Sequence, residues 1–329
     1  MKKVSFLIIL PVLFIFASCG GNKEKKYISI SDKALGTFYN ITYFDENGRN
    51  LQPAIDSLLN RFDMSLSAYN PNSIISKVNQ NIDVELDEWF QNVFAKAKYF
   101  YEITDGAFDI SASPLFSAWG FGFGNKEKIT PELIDSLKQF TGMEKINIVD
   151  GKTVKSDPRV NINANALAKG YAVDVVANFL LSLQIKNFLI EIGGEISVRG
   201  KNKDGENWKI GIDKPGDGNF NVGETLINTI QLTDKAIATS GNYRQFYIDG
   251  GKKYAHTIDP LTGYPVQHSL LSATVVAADC MSADAAATSL MVMGIEKAKT
   301  FLNKHPEYQA YLIYEENDEY KEYSNIADN

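Results

Sequence analysis

Residues 271–290 read LSATVVAADCMSADAAATSL and contain a clear change from strand to helix. The small and β-branched residues at 271–278 predict a buried strand, and the Ala-rich run that begins near Cys280 predicts a helix. Asp284 and Thr288 are four residues apart, so this helix would present a carboxylate and a hydroxyl on one face, one turn apart. If the helix is buried, Asp284 needs a partner.

The pair formed by Asp284 and Thr288 has two interpretations. As a metal site, the carboxylate, the hydroxyl and a backbone carbonyl would bind a hard cation such as Mg²⁺, and phosphates of a substrate would complete the shell. As structure, the Asp caps a helix and the Thr bonds back to a carbonyl, which is the commoner arrangement. These two residues alone leave both interpretations open.

The rest of the chain alternates between helical and strand-like spacing. Residues 28–43 predict two strands around Gly36, and Thr130 with Pro131 marks the start of a helix. Apolar residues at helical spacing predict helices over 51–63, 88–104, 166–183 and 295–302. From residue 208 onward most segments predict strands, and the last strand is expected at 308–314. The sequence therefore predicts an α+β protein with a mixed, largely antiparallel sheet core and flanking helices.

Charge and the first residues limit the possible partners. A net charge of −7 argues against a nucleic-acid partner. Residues 1–19 combine two lysines with an apolar run that is shorter than a membrane span and ends near Cys19. They predict an export signal that resembles a bacterial lipoprotein processing site, with a plain signal peptide as the alternative. Lipidated Cys19 would anchor the protein to a membrane, facing the periplasm; residues 20–27 would be a tether and 28–329 the folded domain.

Other segments carry candidate chemistry. Lys169 and Gly170, in NINANALAKGYAVD at 161–174, would lie in the first turn of a helix, where free N–H groups favour an anion such as phosphate. His256, in YAHTIDPLTGYP at 254–265, is either a general base, a residue that stacks on an aromatic ligand, or an ordinary packed or surface histidine. The paired glycines at 193–194 mark either a bulge or a close approach of a ligand to the backbone.

Eight motifs in this order closely resemble the FAD:protein FMN transferase family, ApbE. They are LGT at 35–37, MSLSAYNPNSIISKVN at 64–79, TDGAFD at 104–109, NALAKGYAVD at 165–174, IEIGGEI at 190–196, AIATSGNYRQF at 236–246, YAHTIDPLTGYP at 254–265 and SADAAATSLMVMG at 282–294. The resemblance covers nearly all of the chain after the tether.

The resemblance implies a Mg²⁺-dependent enzyme that splits the pyrophosphate of FAD, transfers FMN to a threonine hydroxyl of an exported redox protein and releases AMP. It implies that Asp284, Thr288 and the backbone carbonyl of Ala166 hold the metal. His256 and Asp284 are the candidate catalytic residues. The resemblance assigns eight residues to binding of the flavin nucleotide: Leu35, Tyr69, Ala107, Phe108, Asp109, Asn163, Lys169 and Ile258.

Two alternatives keep the same site: an FAD pyrophosphatase that transfers FMN to water, and a lipoprotein that binds FAD without turnover. The sequence also departs from the family pattern. Leu35 stands where Met is usual, and Asn163 and Asn165 stand where Asp and Gly are usual. The site has therefore lost one carboxylate near the expected metal.

Overall fold

The structure is a computed structural model that describes residues 27–122, 126–215, 225–242, 246–249, 252–255, 257–317 and 319–327. The predicted export signal, Cys19, residues 20–26 of the predicted tether and His256 lie outside the described residues. The described chain forms seven α-helices and sixteen β-strands. In this part of the chain no helix is both long and apolar enough to cross a membrane.

The helices are α1 Gln52–Leu66, α2 Ile74–Asn79, α3 Glu88–Ile103, α4 Ser113–Ala118, α5 Pro131–Lys138, α6 Ala168–Ser182 and α7 Cys280–Lys304. The strands before α6 are β1 Tyr27–Ala34, β2 Thr37–Phe44, β3 Ile146–Val149 and β4 Lys152–Lys155. Those between α6 and α7 are β5 Phe188–Ile192, β6 Glu195–Arg199, β7 Trp208–Asp213, β8 Leu226–Leu232, β9 Lys235–Gly241, β10 Phe246–Asp249, β11 Lys252–Ala255, β12 Ile258–Asp259, β13 Tyr264–Pro265 and β14 Leu270–Ala277. The strands after α7 are β15 Gln309–Glu316 and β16 Glu319–Ser324.

Eight strands form the central sheet, in the order β1-β2-β5-β6-β9-β14-β15-β16. The predicted α+β class with a largely antiparallel sheet is confirmed. Every strand pair in the described residues is antiparallel, so the parallel pairs of a mixed sheet are not found there. The mixed sheet was predicted because a helix at 166–183 is followed closely by a strand. In the structure that strand, β5, pairs antiparallel with β2.

The main core lies between one face of this sheet and the helices. Helices α6 and α7 pack directly on the central strands and against each other, and α1 contacts α6 from outside. The opposite face of the sheet is covered by the β7–β8 hairpin, where Trp208, Ile210 and Leu232 pack on Val198 and Ile237. Burial of these large apolar side chains contributes about 1.5–3 kcal/mol each.

Most predicted elements are present, and the exceptions have local causes. Thr130 caps α5, because its Oγ1 accepts a hydrogen bond from the Leu133 N–H at 3.2 Å. The two helices predicted after residue 280 form the single element α7, which is kinked at Gly294 (φ 75°, ψ 170°). The strand at 308–314 is not the last one, since β16 follows it as an exposed edge strand without an apolar face. The short helix α2 was also not predicted from the sequence.

Candidate active site

A cavity of about 910 Å³ opens at one end of the central sheet. Two hairpin turns line it. Leu35 and Gly36 connect β1 to β2, and Gly193 and Gly194 connect β5 to β6. All four residues have positive φ, as a two-residue type I′ turn requires. The paired glycines are therefore a hairpin turn and not a bulge.

Leu35 is the unusual member of these turns, because a non-glycine residue at a φ of 53° carries backbone strain. A side chain in the left-handed region costs roughly 1–2 kcal/mol. Strain of this kind is concentrated at functional sites, and here it belongs to a residue that lines the cavity.

Helices α6 and α7 meet closely beside the cavity. A Cβ atom added to Gly170 would lie 2.3 Å from the carbonyl oxygen of Cys280, so only glycine allows this approach. The Gly170 N–H donates a 3.0 Å hydrogen bond to Asp284 Oδ2. Asp174, further along α6, accepts hydrogen bonds from the N–H groups of Cys280 and Met281, both at 2.8 Å, and so caps α7.

The free N–H groups in the first turn of α6 were expected to favour an anion such as phosphate, and the structure shows the partner of one of them. The Gly170 N–H instead bonds to Asp284, so this amide serves a carboxylate of the protein. The positive end of the helix dipole still favours negative charge at this position.

Asp284, Thr288 and the Ala166 carbonyl come together at the cavity wall. Thr288 Oγ1 donates to the Ala166 carbonyl oxygen at 3.4 Å and lies 3.4 Å from Ser240 Oγ. Both distances are long for bonds to a hydroxyl. Burial raises the pKa of Asp284 to about 8, and the negative charge of Glu195 adds to this effect.

These three residues fit a hard divalent cation. They offer a carboxylate, a hydroxyl and a carbonyl oxygen, which are the ligands that Mg²⁺ prefers, and the hydrogen bonds of Thr288 are both long. A buried carboxyl group that is driven towards its neutral form gains from a bound cation. Among the described residues no cluster of three His, Cys, Asp or Glu side chains is arranged to hold a metal.

Lys169 extends into the same cavity and forms an ion pair with Glu195 Oε1. Burial alone would lower the pKa of Lys169, but the carboxylates of Glu195 and Asp284 outweigh burial and raise it. Lys169 therefore remains an ammonium group. The site combines this positive charge, which can bind phosphate, with buried carboxyl groups, which can bind a cation.

All eight residues that the resemblance assigned to the flavin nucleotide line this cavity. Two of them shape it through similar turns. Asp109 accepts hydrogen bonds from the Ser111 N–H at 2.7 Å and Oγ–H at 2.6 Å, and Asn163 accepts one from the Asn165 N–H at 2.9 Å. The Asn163 N–H donates to Ile110 at 2.8 Å, which joins the two turns.

The turn that Asn163 caps carries the Ala166 carbonyl. The amide of Asn163 therefore supports the same backbone turn that a carboxylate would support. Tyr69 stands at the mouth of the cavity with 69% of its surface exposed, and its hydroxyl accepts a 3.3 Å hydrogen bond from Asn165 Nδ2.

Several polar residues of the cavity were not assigned a role from the sequence, and three of them are Glu195, Thr239 and Ser240. Glu195 follows the paired glycines, and a carboxylate directly after a type I′ turn at the start of a buried strand is a usable signal. Thr239 and Ser240 lie at the end of β9, where nothing in their spacing separates them from ordinary strand residues.

Comparison with known proteins agrees with this geometry. The sequence profile of the ApbE family matches residues 35–312. The chain is 36% identical to the FAD:protein FMN transferase of Haemophilus influenzae, covering 95% of this chain and 93% of that protein, and 35% identical to that of Vibrio cholerae, covering 98% and 97%.

Solved structures of similar proteins share the fold. The flavin transferase ApbE from Vibrio cholerae superposes with a TM-score of 0.80 at 35% identity, over 91% of this chain and 97% of that one. The apo form of the Pseudomonas stutzeri flavinyl transferase ApbE superposes with a TM-score of 0.83 at 28% identity, over 91% and 95%.

Proposed function

The chain belongs to the ApbE family and is an FAD:protein FMN transferase; from this premise we propose that it transfers FMN from FAD to a threonine hydroxyl of a target protein, depends on Mg²⁺ and releases AMP. One observation supports the proposal above all others. The Lys169 ammonium and the oxygens of Asp284, Thr288 and Ala166 belong to one cavity, which all eight expected flavin-site residues also line.

The residues have distinct roles in this proposal. Asp284, Thr288 and the Ala166 carbonyl would hold Mg²⁺, which when bound would neutralise charge on the phosphates and make the phosphorus more electrophilic. The Lys169 ammonium attracts the pyrophosphate and stabilises the charge that develops on the departing AMP. The cavity wall keeps the flavin nucleotide oriented, so that attack is restricted to the hydroxyl presented at its mouth.

The attacking threonine must lose its proton to an acceptor. Asp284 is a poor free base, because it accepts the Gly170 hydrogen bond and would also bind the metal. His256 is the proposed acceptor, since imidazole has a pKa suited to general base catalysis near neutral pH.

The proposal extends to the location and partner of the protein. Residues 1–19 would direct export and lipidation of Cys19, which would hold the enzyme at the membrane, facing the periplasm. The target would be an exported redox protein that carries the acceptor threonine, and FAD would be the flavin donor.

Mass spectrometry tests the proposal directly. A soluble form lacking residues 1–19 is incubated with FAD, Mg²⁺ and a candidate acceptor protein. The expected result is one FMN moiety on a threonine of the acceptor and one AMP released per modification. Release of AMP and FMN without any modification of the acceptor would instead identify a pyrophosphatase. Tight binding of FAD without AMP formation, unaffected by chelation, would identify a store.

A further inference from the structure

Glu195 has one bonded oxygen and one free oxygen in the cavity. Its carboxylate is only 3% exposed, and Oε1 pairs with the Lys169 ammonium. Oε2 is buried and has no hydrogen-bond partner among the residues that the structure describes. A buried polar atom left without a partner is destabilising, and more so when it is charged.

The local fold holds Glu195 in this position. The type I′ turn at Gly193 and Gly194 leads directly into it, and Gly193 has no side chain that would crowd Lys169. A Cβ atom on Gly193 would lie 3.3 Å from Lys169 Cδ and 2.9 Å from Thr37 Cγ2. The unpartnered oxygen therefore belongs to a carboxylate that is held beside the ammonium group, on a residue that lines the cavity.

Only a hydrogen-bond donor can satisfy this oxygen. Phosphate oxygens and flavin carbonyl groups are acceptors, and a carboxylate oxygen repels them. FAD carries hydroxyl donors on its ribityl chain and on its ribose. These two sugar parts lie on opposite sides of the pyrophosphate that Lys169 attracts. Because Glu195 lines the cavity, a molecule that occupies the cavity can supply this donor.

We propose that Glu195 is a binding residue for the sugar part of the nucleotide: Oε1 positions the Lys169 ammonium, and Oε2 accepts a hydrogen bond from a hydroxyl group of the ribityl chain or the ribose. This inference rests on the proposed function, since it takes FAD as the ligand. The two oxygens of Glu195 would thus have different tasks: one holds Lys169 and the other binds the nucleotide.

The sign of the change in FAD affinity tests the proposal. In Glu195→Gln, the Lys169 ammonium orients the amide oxygen towards itself, so the amide nitrogen replaces Oε2. Glu195→Met has a similar length and removes both the charge and the acceptor. If Glu195 were only a negative charge beside Lys169, both variants would bind anionic FAD more tightly. Loss of a charged hydrogen bond instead weakens binding, by roughly 10- to 100-fold in Glu195→Met.

Affinity is measured by quenching of flavin fluorescence, without acceptor protein and with metal chelated so that FAD is not consumed. We expect weaker binding in both variants, with the smaller loss in Glu195→Gln, because a hydroxyl group can also accept a bond from the amide. Unchanged or tighter binding in Glu195→Met overturns the proposal. Parallel measurements with FMN and with ADP identify the source of the hydroxyl group, since FMN carries only the ribityl chain and ADP only the ribose.

Glu191→Gln is the matched control. Glu191 flanks the same turn, where it accepts hydrogen bonds from the Gly194 N–H at 2.7 Å and from Asn40 Nδ2 at 2.6 Å, and it does not line the cavity. The Glu191→Gln variant should bind FAD with the affinity of the wild type. Thermal unfolding establishes that all variants are folded. Absence of FMN transfer in the wild type would contradict the proposed function, whereas wild-type transfer with unchanged affinity in the Glu195 variants would contradict only this inference.

Discussion

The N–H of Gly170 donates a 3.0 Å hydrogen bond to Oδ2 of Asp284, and this bond joins the first turn of α6 to α7 at the cavity. The two helices come together there because position 170 has no side chain. The placement of Asp284 therefore depends on a contact between helices that are more than 100 residues apart in sequence.

Gly170→Ala should destabilise the protein although alanine favours helices. The added methyl group would meet the Cys280 carbonyl at 2.3 Å, and no side-chain rotation relieves a clash with backbone. A 2.3 Å contact with backbone belongs in the upper part of the range for overpacking, about 2–3 kcal/mol, against a gain of about 1 kcal/mol in helix propensity. We expect a net loss of about 1–2 kcal/mol in the free energy of unfolding, measured with urea.

Gly205→Ala provides the comparison for that experiment. Gly205 has a φ of 79° and nothing within 4 Å of an added Cβ, so its variant reports backbone strain without a clash. A loss of FMN transfer is expected only in Gly170→Ala. A Gly170→Ala protein as stable as the wild type would show that the helices are not in tight contact.

Asp284→Asn and Thr288→Val should reduce FMN transfer and raise the Mg²⁺ concentration needed for half of the maximal rate. Loss of the charged ligand is expected to cost at least 100-fold in rate, equivalent to about 2.7 kcal/mol, and loss of the hydroxyl about tenfold. Initial rates across a Mg²⁺ titration measure both effects.

Ser289→Ala is the control for these two variants. Ser289 is adjacent to Thr288 but bonds back to the Ala285 carbonyl at 2.7 Å and does not line the cavity. Its rate should stay within about twofold of the wild type. Equal Mg²⁺ requirements in the wild type and Asp284→Asn would rule out Asp284 as a metal ligand.

Asp109→Asn should change how stability depends on pH. Burial raises the pKa of Asp109 from 3.8 to about 6, while the hydrogen bonds from Ser111 act in the opposite direction. The folded state thus favours the neutral acid, so the contribution of Asp109 to stability is complete below pH 4 and is lost as pH rises through 6. Asparagine does not titrate and keeps the Oδ1 acceptor.

Between pH 4 and pH 6 the wild type should therefore lose stability relative to Asp109→Asn. The difference between their free energies of unfolding should grow over this range. This difference should grow by at most about 3 kcal/mol, and it should stay constant above pH 6. Urea unfolding at five or six pH values measures it. A difference that does not vary with pH would mean that Asp109 has the same pKa in the folded and the unfolded protein.

Cys280 should resist thiol reagents in the folded state. It is a buried free cysteine, and burial raises the pKa of its thiol well above the ordinary value. In the form lacking residues 1–19 it is the single cysteine of the chain. Labelling should therefore be slow in native buffer and rapid in guanidinium, where one equivalent reacts. Fast labelling of the native protein would show that the N-terminus of α7 opens readily.

Local features of the site were predictable from the sequence, and long-range ones were not. The spacing of Asp284 and Thr288 fixes that they share a helix face, and both do line the cavity. The partner of Thr288 is the carbonyl of Ala166, 122 residues earlier, and no periodicity can reveal such a contact. Only the resemblance to a family pointed to Ala166.

In the fold too, local features could be predicted from the sequence and long-range ones could not. Alternating apolar residues predicted β1 and β2, because one side of each strand faces the core. Strand β16 has no such alternation of apolar residues, and it exists because β15 offers it an edge to pair with. Glu195 was missed because its burial depends on the hairpin turn before it and on Lys169, which lies on a different element.

The kink at Gly294 also has a consequence for the helical phase of α7. His268 Nε2 lies 2.8 Å from the Met291 carbonyl, and its ring occupies the space where a Cβ atom of Gly294 would be. The kink separates the helical phase of residues 280–293, which include Asp284 and Thr288, from that of the residues after Gly294. One residue inserted between Cys280 and Asp284 would turn both side chains by about 100° away from the cavity, whereas an insertion after Gly294 would leave their direction unchanged.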